Sequence, residues 1–110
     1  MTVFHSVEYG DAVEAASFIA ALSRVLASPA GERYLAAASP VEVLANVSAD
    51  HVSVYLSDSA AAAASDAFPP GPHTTDIDRA EIPASSVAIV ASPRVTALKR
   101  DDVIWRFCDT

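Results

Sequence analysis

Basic residues are scarce in this chain. Only seven Lys and Arg occur in 110 residues, none of them between Glu42 and Asp78, against 14 Asp and Glu. The formal net charge is −7 and the isoelectric point near 4.6. Nucleic acids and anionic membranes are bound largely through cations that neutralise phosphate, so general binding to either is excluded. There is one cysteine, Cys108, which cannot form an internal disulfide; a stapled secreted scaffold is therefore excluded. Three glycines leave no G-x-G-x-x-G fingerprint, no phosphate-cradling P-loop and no G-x-S-x-G elbow. The longest apolar run, Phe18 to Ala27, is broken by Ser23 and Arg24 and is too short to cross a bilayer. No basic N-terminal stretch leads into an apolar one, so no secretory signal is expected and the cytoplasm is the expected location.

What is present is alanine. The chain is 52% hydrophobic, yet only 7% of it is aromatic. Alanine buries little area, so the expected core is thin and closely packed. Abundant Ala with little Lys also fits a GC-rich bacterial genome. At 110 residues the natural reading is one domain, 1–110, able to bury about two thirds of its unfolded surface.

Thr2 to Tyr9 alternates as a strand, with Val3, His5, Val7 and Tyr9 on one face. Asp11 then caps a helix, 12–27, whose Ala15, Phe18, Ile19, Leu22, Val25 and Leu26 form one apolar stripe. Ser28-Pro29 opens a short helix to Ala38, and Ser39-Pro40 opens a third that would bury Val43, Leu44 and Val47. Asp50 to Ser57 alternates as a half-exposed strand, and Asp58-Ser59 caps a helix from Ala60 to Ala67 that begins with five alanines. Residues 68–84, with Pro-Pro-Gly-Pro, read as an irregular loop. Val87 to Ala91 reads as a buried central strand. Arg94–Lys99 and Val103–Cys108 read as a hairpin turned by Arg100-Asp101-Asp102, with Val103, Trp105 and Phe107 facing the core.

Tyr34 to Tyr55, a fifth of the chain, resembles the nitrile-hydratase-type leader segments of ribosomal peptide precursors. The resemblance implies a helix, a proline step, a second helix and a strand; here the step is Ser39-Pro40 rather than Asp-Pro.

The chemistry-bearing residues are sparse. His5, His51 and His73 have no His or Cys at ligand spacing, so no zinc site and no cofactor is expected. His5 and His51, on neighbouring strands, could meet near Tyr9 or Tyr55 as a proton-transfer group. Asp76-x-Asp78 offers two carboxylates, too few for a calcium loop. Residues 94–106 carry Arg94, Lys99, Arg100 and Arg106 against two Asp, a basic hairpin beside an acidic body that suits a polar protein contact or a self-complementary dimer.

The expected fold is therefore α+β: a mixed or antiparallel sheet ending in a three-stranded C-terminal meander, with helices packed on one face. The leading functional reading is a small acidic, non-enzymatic interaction module of adaptor, chaperone or inhibitor type, with a protein partner. One rival is a small enzyme or ligand-binding domain with a pocket between helix 11–27 and the sheet, using His5, His51 and Tyr55. Another is a phage-type inhibitor whose acids mimic nucleic-acid charge.

Overall fold

The computed structural model describes residues 2–35, 41–48 and 50–91. The basic positions Arg94, Lys99, Arg100 and Arg106, and the expected hairpin with Trp105 and Cys108, lie outside the described residues. In chain order the elements are β1 (Val3–Tyr9), α1 (Ala12–Ala27), a 3-10 turn (Pro29–Gly31), α2 (Glu32–Leu35), β2 (Glu42–Val47), β3 (Val52–Leu56), α3 (Asp58–Ala67), β4 (Thr75–Asp78), a second 3-10 turn (Arg79–Glu81) and β5 (Val87–Ala91). The five strands form one antiparallel sheet in the order β4-β1-β3-β2-β5.

α1 is held where its sequence says. Asp11 accepts the Val13 N–H at 2.8 Å, Glu14 sits in the first turn and Arg24 in the last, each favourable to the helix dipole. Ser28 ends it: its N–H and its hydroxyl both donate to the Val25 carbonyl, at 3.2 and 2.6 Å, and Pro29 cannot continue the helix ladder. Gly31 then lets the chain double back across the helix end. A Cβ there would fall within 2.5 Å of the Val25 carbonyl oxygen.

One face of the sheet carries the main core. Val7, Val43, Ala45, Val52, Val54, Leu56 and Ile89 point toward α1 and α3. Ile19, Leu22 and Leu26 answer from α1, and Ala15, Ala16, Ala60, Ala63 and Ala64 are wholly buried. These alanines let two helix backbones approach the sheet closely, the thin core the composition implies. Tyr9, Phe18 and Phe68 close one end, with ring centroids 5.7 and 5.5 Å apart in sequence. The opposite face buries a smaller cluster, Phe4, Leu44, Tyr55 and Ile82, with Ile77 beside it.

The structure corrects several expectations. Glu42–Val47 is a strand, not a helix, so the resemblance to a two-helix leader fails at this segment. Val43, Leu44 and Val47 suit a helical stripe, but pairing with β3 decides the outcome, and Val43, Ala45 and Val47 then share the core face. The 68–84 segment is not one loop: Thr75–Asp78 adds to β1 as β4. β3 is buried along its whole length, not half-exposed; Tyr55 is only 6% accessible because Ile82 and its neighbours cover that face. β3 lies between β1 and β2, and β5 pairs with β2; the strands expected to follow β5 in a meander lie outside the described residues. The cap of α3 is Ser57, one residue before the expected Asp58-Ser59. Helices on one face of an antiparallel sheet are as expected.

Candidate functional site

The residues singled out from sequence do not converge. His5 projects from β1 to the helix side, Tyr55 from β3 to the opposite side, and His51 lies at the β2–β3 turn, by the other end of β1. Each instead belongs to a separate group.

His51 belongs to the turn. The Ser48 N–H donates to the His51 carbonyl at 2.9 Å, and Ser48 Oγ lies 2.7 Å from His51 Nδ1 and 3.0 Å from the same carbonyl. A Ser–His contact of this length is the first requirement of an activated nucleophile. Here the hydroxyl is also engaged with the backbone, and Ser48 and His51 are both exposed, so the contact closes a hairpin. Asp50 Oδ1 stands 3.2 Å from the same ring nitrogen, and that hydrogen bond holds its carboxyl below the usual range. Nearby, Glu8 accepts from Ser6 at 3.0 Å and Ser53 at 2.6 Å, bridging two strands on the face away from the helices.

His5 joins three elements. Its Nε2 is 2.6 Å from Asp58 Oδ1, in the first turn of α3, and its Nδ1 is 3.2 Å from Asp76 Oδ1 on β4. His5 is 21% accessible in its side chain, Asp58 69% and Asp76 77%. Two Asp and one His would suit a divalent metal, but the carboxylates lie against opposite ring nitrogens and cannot share an ion with one of them. No metal-binding group of three such residues occurs among the described residues.

The edge strand β4 gives this group its significance. The Arg79 N–H donates to the Thr2 carbonyl at 2.8 Å, one step beyond the Val3–Asp78 pair, and this fixes the phase of the ladder. In an antiparallel pair, hydrogen-bonded and non-bonded positions alternate. Thr75 and Ile77 therefore turn their N–H and C=O groups toward β1, and Asp76 and Asp78 turn theirs outward. Among the described residues nothing pairs with that outer side. Arg79, the next residue after β4, is drawn away from the edge: it reaches Glu42 at 3.9 Å and lies over the Phe4 ring, 5.4 Å from its centroid, on the other face. Among the described residues this is therefore an open sheet edge lined by Asp76 and Asp78, with His5 behind Asp76 and Asp58 on the other ring nitrogen of His5, farther from the edge. The alternation Thr-Asp-Ile-Asp was the available signal; with only Ile77 apolar, it was too weak to separate from the surrounding loop.

A third group lies across the molecule. Arg33 Nη2 donates to Tyr34 Oη at 2.6 Å and to Asp66 Oδ2 at 3.0 Å, and Tyr34 Oη donates to the same oxygen. The Asp66 carboxylate accepting that proton pushes the Tyr34 phenol up from its ordinary value. The three side chains line a cavity of about 220 Å³ between the end of α1, α2 and α3.

No protein-family model matches this chain, and no curated protein or solved structure matches it either. No helix among the described residues is long and apolar enough to cross a membrane.

Proposed function

We propose that the chain is a non-enzymatic interaction module whose β4 edge receives an extended basic segment of a partner protein. The observation that supports this is the outward set of backbone groups at Asp76 and Asp78, two carboxylate-bearing positions of one edge strand. Main-chain hydrogen bonds would supply the affinity of such strand addition, and side chains its selectivity. The carboxylates would select for cations and speed encounter more than they hold the complex, since exposed ion pairs contribute only about 0.2–1 kcal/mol each. The acids also discourage the commonest misuse of an open edge. Two copies paired β4 to β4 in antiparallel fashion would set Asp76 of each against Asp78 of the other, which is repulsive. An adaptor, chaperone or inhibitor acting in the cytoplasm fits this reading.

Two substitutions separate backbone capture from simple charge attraction. Asp76→Ala removes a carboxylate and keeps the outward N–H; Asp76→Pro removes that N–H as well, without removing a bond to β1. Low-salt pull-down and native mass spectrometry, followed by titration of the partner segment, should show Asp76→Pro binding far more weakly than Asp76→Ala. Equal binding by the two variants, or a native chain that associates with nothing, would end the proposal.

A further inference from the structure

The cavity beside α2 lies apart from the β4 edge, and its inference is independent of the interaction reading. Its apolar lining includes Val25 of α1 and Ala63 and Ala67 of α3; its polar lining is Arg33, Tyr34 and Asp66. At about 220 Å³ it has the volume of roughly seven waters at ~30 Å³ each, which suits a ligand of fragment size. The space exists because α3 presents alanines here, where larger side chains would fill it.

We propose that this cavity binds a small neutral molecule bearing an amide, a carboxamide or lactam carried on an apolar ring. The polar lining determines the ligand's charge. Arg33 and Asp66 are already an ion pair at 3.0 Å, and Tyr34 donates to the same carboxylate oxygen. An anionic ligand on Arg33 would stand beside the Asp66 carboxylate, and a cationic one on Asp66 would stand beside the guanidinium. A neutral ligand leaves the pair intact. What the pair still offers is mixed: guanidinium N–H groups beyond those used, and Asp66 Oδ1, which has no hydrogen bond among the described residues. A donor next to an acceptor is the complement of an amide, which presents C=O and N–H side by side. The apolar walls then take the ring, as in small-molecule sites generally.

Ligand-observed NMR on the full chain tests this, with benzamide, benzoate and benzylamine as probes at millimolar concentration. Benzamide is expected to bind about threefold more tightly than either charged analogue, because neither like-charge contact arises, each being screened where the Arg33 and Asp66 side chains are more than half exposed. Ala67→Leu, which extends a side chain into the cavity, is expected to abolish its binding while the circular dichroism stays native. Asp66→Asn leaves Arg33 without its counter-charge and is expected to reverse the order, with benzoate first. Benzoate or benzylamine binding the native chain as well as benzamide overturns the proposal. So does the absence of binding by all three, or benzamide binding that Ala67→Leu leaves unchanged. If Ala67→Leu does not fold, the order of ligands on Asp66→Asn decides: benzoate first supports the site, and an unchanged order overturns it.

Discussion

Ser57 and Glu42 exchange two hydrogen bonds: the Glu42 N–H donates to Ser57 Oγ at 2.9 Å, and the Ser57 N–H to the Glu42 carbonyl at 3.0 Å. The same hydroxyl oxygen accepts from the Ala60 N–H at 3.5 Å as the N-cap of α3. One buried side chain thus fixes the start of β2, the exit from β3 and the start of a helix. Ser57→Ala removes the cap and leaves the Glu42 N–H without that acceptor. A loss of about 1–3 kcal/mol is expected, read from denaturant unfolding. Ser57→Thr should recover most of it, and an alanine variant as stable as the native chain would refute the role.

The stripe of α1 predicts a contrast within one helix. Leu22 is almost fully buried against the sheet, whereas Val13 is half exposed. Leu22→Ala should cost about 2–5 kcal/mol, through lost burial and the cavity it leaves. Val13→Ala should change stability by no more than about 0.5 kcal/mol. Chemical denaturation of the two variants, with unchanged slopes, measures both.

Tyr9 gives a stability change at high pH. Burial, with Glu14 adding to it, pushes its phenol from 10.0 up to about 12. The unfolded chain ionises Tyr9 first, so above pH 10 it holds fewer protons than the folded chain, and folding stability falls as pH rises. The contribution is complete below pH 10 and is lost progressively toward pH 12. Tyr9→Phe should flatten the fall in thermal midpoint across that window, and absorbance titration should show one late-ionising tyrosine fewer. An identical profile in the variant would contradict the assignment.

The acids of β4 should act against self-pairing. Asp76→Asn with Asp78→Asn removes the like charges that would face each other across two β4 edges. Sedimentation equilibrium should find the double variant more associated than the native chain, with the difference shrinking at high salt. No difference at low salt would mean that the acids do not guard this edge.

Elements whose sequence signals agreed were legible. The 12–27 helix had a cap and a stripe, and each performs its expected task at Asp11 and Leu22; Ser28, expected to cap the next helix, instead closes this one on the Val25 carbonyl. β1 and β3 were legible from alternation, and the Ala60–Ala64 run as a close-approach surface. Residues 42–47 were not, because Val43, Leu44 and Val47 satisfy a helical stripe nearly as well as an alternating strand. A segment of six residues rarely distinguishes the two periods. β4 was hidden for another reason: an edge strand exposed on most sides needs few apolar residues, and Asp76 and Asp78 look the same in a loop.

The sequence by itself determined the thin alanine core, the negative charge, the helix 12–27 and the absence of phosphate-binding and nucleophile motifs, because these depend on composition or on neighbours within a few turns. Tertiary structure alone decided that β3 lies between β1 and β2, that Tyr55 is buried, and that His5 meets Asp58 and Asp76 while His51 meets Ser48 and Asp50. Those outcomes follow from strand order and register. The sequence gives each strand's two faces, but which strand lies beside it, and which residue opposite, is settled only when long-range pairs form together.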